Sequence, residues 1–517
     1  LAEIGARLIL CSIFEGSTAR AERELEQFRR EPKPGEPPSA AGHPDAVGTM
    51  AGREVNLGET LAGLLEASPD WSAPVAARGW DTFAGNFRRD RIAQPLSAGI
   101  VWQWEHALPE VPALEASIAR NYGFRPNRVA EDNESLLSYH PVVHNDLVLL
   151  NNEMQVLALD LKTGNPPWGL DDPVIFRDEE AAASRVSYRN SLGAPRYTMT
   201  VADDKLYVRM GSMITSGAGE LASRRGRGYL LCLDLKAQAR VVWKIIPEDP
   251  QWSFEGAPCV VGNDVFVAVR HSDVQHPRAH VACYDARPGR QKWRQFVCGS
   301  DTVGHNQLSE STHTLLTVFR DTIYFNTNLG AVAALRTSDG HLKCVYQYKP
   351  SSCEDLSVQA AHFYRDLTPC VYHSGQVFVA PSDSASILAL DAVSGQRLWE
   401  NGLAEDAIHL LGVGGGNLIA SGDRLYWFSL EKEGKLVARW PEGDSPRGFG
   451  RGILSGNRVL WPTRESIYVF NQVDSRWTGE IPLAEHRRAV DGSNLHGGNL
   501  LVIDDKSTDD GAQKVKD

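Results

Sequence analysis

The stretch ALDLKTGNPPW, Ala158 to Trp168, returns as CYDARPGRQKW from Cys283 to Trp293 and as ALDAVSGQRLW from Ala389 to Trp399. Each copy reads small-x-Asp-x-x-x-Gly-x-x-x-Trp, and one internal spacing kept three times marks a repeat. Looser copies keep the plan. CLDLKAQARVVW, Cys232 to Trp243, has one extra residue; ALRTSDGHLKC, from Ala334, puts Cys344 where Trp is expected; VFNQVDSRW ends at Trp477 after a shortened turn; Gly434 to Trp440 is looser still. Asp160, Asp234, Asp285 and Asp391 can accept hydrogen bonds from backbone just beyond them, and Gly164, Gly289 and Gly395 tolerate positive φ, so these residues read as turn formers. Trp168, Trp243, Trp293, Trp399 and Trp477 each supply a flat apolar slab with one N–H donor, suited to docking between neighbouring repeats beside backbone carbonyls. All of them are expected to be structural and none catalytic.

Upstream of most copies lies a second recurring unit, a polar turn followed by alternating apolar residues: HNDLVLL at 144, DDKLYV at 203, GNDVFVAV at 262, RDTIYF at 320, SGQVFVA at 374, GDRLYWF at 422, GNRVLW at 456 and GGNLLVI at 497. This is a β-hairpin signature. One repeat is then strand A, turn, strand B, loop, strand C with the small-x-Asp, turn, and strand D with the Trp. Four antiparallel strands at a period of roughly 35 to 60 residues describe propeller blades, so the expected fold class is all-β.

The pattern resembles the tryptophan-docking repeat of the pyrroloquinoline-quinone (PQQ)-like propellers, the quinoprotein alcohol dehydrogenase-like family, over roughly residues 102–503. It is closest in kind to the cofactor-free propeller of the outer-membrane β-barrel assembly machinery. The resemblance implies eight blades. Seven are nearly complete between residues 138 and 481, and an eighth A–B pair stands at 494–503. WQW, Trp102 to Trp104, preceded by WDTFAGNFRRDR from Trp80, resembles the family's opening segment, whose first strand completes the last blade. The expected organisation is a helical segment at 1–72, a linker and closure strand at 73–137, and the propeller at 138–517. Within the first, a helical run over 8–30 places Gly16, Ala21, Leu25 and Phe28 at spacings similar to a tetratricopeptide repeat (TPR), and NLGETLAGLLEA from Asn56 predicts a second helix.

Composition narrows the function. Subtracting 65 acidic from 53 basic residues leaves −12, which gives no electrostatic footprint for nucleic acid. The longest apolar run, LILCSIF from Leu8, is far below the roughly 20 residues of a membrane span. The chain opens on Leu1, which is compatible with a leader or anchor upstream. The eight cysteines, at 11, 232, 259, 283, 298, 344, 353 and 370, form no CxxC and no adjacent pair, and read as buried thiols.

Connections from B to C and from D to the next A are expected to be long and to emerge on one face of the disc, as in 169–196, 210–228, 271–279, 294–310 and 347–366. Binding residues concentrate on long loops held by rigid scaffolds. Arg177, Arg224, Arg225 and Arg227 on these connections are therefore the candidate partner-binding rim. His271, His276 and His280 match no metal-ligand spacing, and GVGGGN around 414 reads as an A–B turn. The quinoprotein enzymes hold PQQ under a ring formed by two adjacent cysteines with a calcium ion, and no such pair exists here. The expectation is a non-enzymatic, protein-binding scaffold of the periplasm or cell envelope, working within a larger complex, with no cofactor and no metal; the alternative is a PQQ- and calcium-dependent dehydrogenase.

Overall fold

The structure is a computed structural model that describes residues 2–14, 18–31, 42–50, 53–68, 79–95, 103–108, 139–179, 196–211, 228–249, 251–272, 277–300, 313–350, 365, 368–483 and 498–501. The chain divides into two units, Leu1–Ala77 and Arg78–Asp517.

In the first unit, the single helical run expected over 8–30 is two helices, α1 (Ala2–Phe14) and α2 (Thr18–Arg29). Ala21, Leu25 and Phe28 of α2 are buried with Ala6, Ile9 and Ile13 of α1. Two helices can press their apolar stripes together, which one continuous helix cannot do. Gly16 lies outside the described residues. A hairpin not anticipated from the sequence, β1 (Val47–Met50) and β2 (Arg53–Asn56), leads into α3 (Leu57–Ala67). The Asn56 side chain caps α3 by accepting the Glu59 N–H at 2.9 Å.

The second unit is a β-propeller. Seven antiparallel sheets follow one another at 142–177, 199–245, 252–299, 317–347, 371–401, 407–440 and 453–482, each in the order D-C-B-A. The third carries an extra strand, Trp252–Phe254, beside Cys259–Val261 on the same long partner, Asp264–Ser272. A strands of neighbouring blades touch, so A is innermost and D lies at the rim. Central strands bury both faces between blades, which is why Tyr229–Asp234 (YLLCLD) is buried at five consecutive positions instead of alternating.

Residues 499–501 lie between the seventh and first blades. Leu500 N–H donates to Arg451 O at 3.0 Å, Asn499 Nδ2 donates to Tyr139 O at 2.8 Å, and Leu500 and Leu501 pack with Val143 and Ile453. Trp104 reaches across to the first blade. Trp102 lies outside the described residues.

Two loop expectations change. GDRLYWF at 422 is not an A–B turn but a tight B–C turn; the A–B turn of the sixth blade is Gly415-Gly416, within GVGGGN. B–C connections are not uniformly long, since Asn151 to Gln155, Asn326 to Ala331 and Pro462 to Ser466 are bridged by only a few residues. No helix among the described residues is long and apolar enough to cross a membrane.

Candidate functional site

The segment Trp80–Gln94 runs along the inner ring of the propeller. Trp80 and Val143 exchange main-chain hydrogen bonds at 2.6 and 3.0 Å; Val201, Val318 and Tyr372 donate to the carbonyls of Asp81, Phe87 and Arg88 at 2.7, 2.9 and 2.9 Å. Ala93 donates to Leu454 O and accepts from Gly456 N, both at 2.8 Å. The free edges of A strands in five blades are thereby paired, which removes exposed strand edges from the centre. Positive φ at Ala84, Gly85 and Arg89 folds the segment tightly enough to do this. Arg89 is fully buried and spends its donors on Leu316 O (3.1 and 2.8 Å), Phe83 O (2.6 Å), Thr82 Oγ1 (3.0 Å) and, in the third blade, Cys259 Sγ (3.2 Å). Burial lowers its pKa, with Cys259 opposing.

Beside Phe83 of this segment, near the start of the inner strands, lies a cluster of cationic and imidazole side chains. His140, two residues before Val142–His144, meets the Phe83 ring edge-on at 5.3 Å and places Nδ1 3.2 Å from Asn499 Nδ2. Arg451, two residues before Ile453–Ser455, sets its guanidinium 5.1 Å from the same ring and donates from Nη2 to Leu410 O and Leu411 O at 3.3 and 3.4 Å. His313 Nε2 lies 2.9 Å from Thr198 Oγ1. His409, on the inner strand Ala407–Gly414, retains accessible surface although protein surrounds it. Burial first, and the charges of Arg196 and Arg451 or Arg209 second, hold His140, His313 and His409 well below the ordinary histidine value, so the imidazoles are neutral at pH 7.

The repeat residues predicted from sequence meet in the seams between blades. The ring of Trp243 occupies the space where a Cβ on Gly289 of the next blade would stand, 2.9 Å away, and its Nε1 donates to Ala286 O at 3.0 Å. Trp293 lies likewise on Gly340 (2.7 Å), Cys344 Sγ on Gly395 (2.6 Å) and Trp399 on Gly434. Trp104 repeats the arrangement on Gly164. Asp160, Asp234, Asp285 and Asp391 each accept the N–H two residues on, at 3.1, 3.0, 2.9 and 3.1 Å. Two tryptophans depart from the pattern. Trp168 sits before strand D, because Pro166 and Pro167 cannot donate to the ladder and pairing resumes only at Val174; it packs against the cluster holding Leu235 and Ala239 of the second blade. Trp477 is 55% exposed and donates to Gly479 O of its own strand.

Arg177 is exposed at the end of Val174–Arg177. Arg224, Arg225 and Arg227 lie outside the described residues, as does His276. His271 and His280 flank Trp252 at ring distances of 4.5 and 4.8 Å, an aromatic packing arrangement.

The central side chains do not suit a calcium–quinone centre. Calcium takes six to eight oxygen ligands, several of them carboxylate. Here the cluster beside Phe83 consists of imidazoles and guanidiniums, while the carboxylates nearby are engaged: Glu153 accepts the Tyr197 hydroxyl at 2.5 Å, Glu255 pairs with Arg270 Nε at 2.6 Å, Asp90 pairs with Arg88 Nε at 3.2 Å and Asp81 with His144 Nδ1 at 2.7 Å. No group of three or more His, Cys, Asp or Glu among the described residues is arranged to hold a metal ion.

No curated protein matches the sequence. Residues 189–357 match the family described as outer membrane protein assembly factor BamB. Among solved structures, quinohemoprotein alcohol dehydrogenase from Comamonas testosteroni superposes with a TM-score of 0.51 at 14% identity, covering 80% of this chain and 74% of that one. The corresponding enzyme ADHIIG from Pseudomonas putida gives 0.51 at 12% identity, covering 79% and 73%. Joined to the blade order and the tryptophan seams, these likenesses show that the second unit has the propeller fold of the quinohemoprotein alcohol dehydrogenases, and that its residues 189–357 are similar to the BamB family.

Proposed function

We propose that the protein is a non-enzymatic interaction scaffold of the cell envelope. The observation that carries this reading is the chemistry of the propeller centre, where the chain's own Trp80–Gln94 pairs the inner strand edges and the groups clustered beside Phe83 are imidazoles and guanidiniums. A quinone dehydrogenase would need calcium-binding oxygens there. The description of the family matched by residues 189–357 supports an envelope setting. In this reading the Asp, Gly and Trp residues of the repeat hold the blades together, and the face that bears the longer connections, with Arg177 at its margin, receives a protein partner.

The test has two arms. Purified full-length protein is mixed with PQQ and calcium and supplied with alcohols and an artificial electron acceptor; no acceptor reduction is expected, and quinone-dependent turnover would overturn the reading. In the second arm a photo-crosslinking amino acid replaces Arg177 or, as control, the rim residue Arg240. A discrete protein adduct from position 177 alone supports a scaffold, whereas equal labelling from both positions counts against that face.

A further inference from the structure

Three buried nitrogens in the central cluster have no hydrogen-bond partner: His140 Nε2, His313 Nδ1 and Arg451 Nε. Their side chains belong to residues 8%, 1% and 6% exposed, so water does not solvate them freely. A buried polar nitrogen left without a partner costs on the order of 1–3 kcal/mol, and three around one ring is a large cost for a site with no task; His140 Nε2 is a donor, because its Nδ1 accepts from Asn499 Nδ2. They arise from blades one, four and seven, and the charges of Arg196 and Arg451 both act on His140. His409 adds an imidazole that keeps accessible surface.

We propose that this cluster is a binding site for a compact oxyanion, a phosphate or a small carboxylate, held beside Phe83. The chemistry is complementary on three counts. Neutral imidazoles present N–H donors, the arginines supply charge, and the neighbouring carboxylates Glu153 and Glu255 are already paired with Tyr197 and Arg270 and so do not fill the site themselves. Charge-assisted hydrogen bonds to an oxyanion are roughly twice as strong as neutral ones. Because these side chains come from blades one, four and seven, one anion would tie those three blades together. The site is independent of whether the protein has a partner.

The experiment is calorimetric titration of the full-length protein, dialysed free of multivalent anions, with inorganic phosphate and separately with acetate, at constant ionic strength set by chloride. One saturable event is expected for at least one of the two, accompanied by a rise in melting temperature; the anion that gives it identifies the class. His409→Gln, which removes an imidazole that bonds to no other described side chain, should weaken that binding by about tenfold or more with melting in chloride unchanged. Arg451→Gln should abolish it, although the loss of its bonds to Leu410 O and Leu411 O can also lower stability, which is why His409→Gln is the deciding variant. Absence of any saturable event for both anions, or binding unaltered in His409→Gln, overturns the proposal.

Discussion

Trp104 donates its indole N–H to the carbonyl of Leu161 at 2.8 Å, and its ring stands where a side chain on Gly164 would begin, 2.6 Å from an ideal Cβ. Trp243 treats Ala286 O and Gly289 in the same way. The tryptophan that precedes the first blade therefore does for that blade what Trp243, Trp293 and Trp399 do for the blades that follow theirs. The glycine of the repeat has two duties: it turns the chain at positive φ, and it leaves room for a neighbour's ring.

Gly164→Ala should therefore cost more than a conformational penalty. The control is Gly169, also at positive φ (+74°) but with nothing within 4 Å of the position a methyl group would take. Gly169→Ala is expected to lose about 1 kcal/mol, and Gly164→Ala about 2–4 kcal/mol because the indole must also move. Equal losses in denaturant melts would show that the ring does not press on the turn.

Trp243→Ala and Trp399→Ala, each at a site 8% exposed, should each lose about 3–5 kcal/mol. Trp477→Ala, at a site 55% exposed, should lose under about 1 kcal/mol. The ordering is read from chemical denaturation; a Trp477 variant as unstable as the other two would require a covering group on its ring.

Arg89→Met keeps most of the side-chain volume and removes every donor. The carbonyls of Leu316 and Phe83 then lose their partners in a water-poor centre, so a loss of about 3–5 kcal/mol is expected. Deletion of residues 80–95 should go further and give aggregating protein, because five A-strand edges become unpaired. A soluble, monomeric deletion variant of undiminished stability would contradict the pairing role.

Stability should respond to pH in two opposed ways. His144 lies 2.7 Å from Asp81 and 2.9 Å from Asp204, and the hydrogen bond to Asp81, reinforced by Asp204, raises its pKa. Its contribution is complete below the unfolded value near 6.5 and is lost as pH rises through the raised folded value. His140, His313 and His409 are held well below 6.5 in the fold, chiefly by burial, with Arg196 and Arg451 acting on His140 and His409 and Arg209 and Arg196 on His313. Their stabilising effect is present above about 6.5 and is lost as pH falls below it. The melting temperature of His144→Gln should fall increasingly short of the wild type as pH drops from 8.5 to 6.5. A constant gap over that interval would exclude a raised His144.

The repeat was legible in the sequence because its chemistry is local. Asp160 caps its own turn through Lys162 and Thr163, and Gly164 answers to φ at one position, so a spacing of a few residues carries the information. Trp80–Gln94 was legible as a lead-in but not as the partner of the inner strands. Its bonds join Asp81 to Val201 and Phe87 to Val318, pairs that no local pattern connects. The central cluster was harder still: His140, His313 and His409 stand far apart in the chain as single histidines, and only the arrangement of blades makes them neighbours. The signal that could have found it is the alignment of the repeats on strand A, since His140, Arg196, His313 and Arg451 all fall just before that strand.

Ser455 Oγ donates to Gln94 O at 2.5 Å, and the two residues are 361 positions apart. A ribosome adding roughly 5–20 residues per second needs on the order of twenty to seventy seconds to get from one to the other. Throughout that interval the N-terminal side of the bond has been made and its acceptor waits, with early blades pairing to one side of Trp80–Gln94 while the seventh does not yet exist. The nascent protein thus spends that interval as an open arc, and the exposure of its growing end to chaperones or to its neighbours on a polysome is set by translation speed.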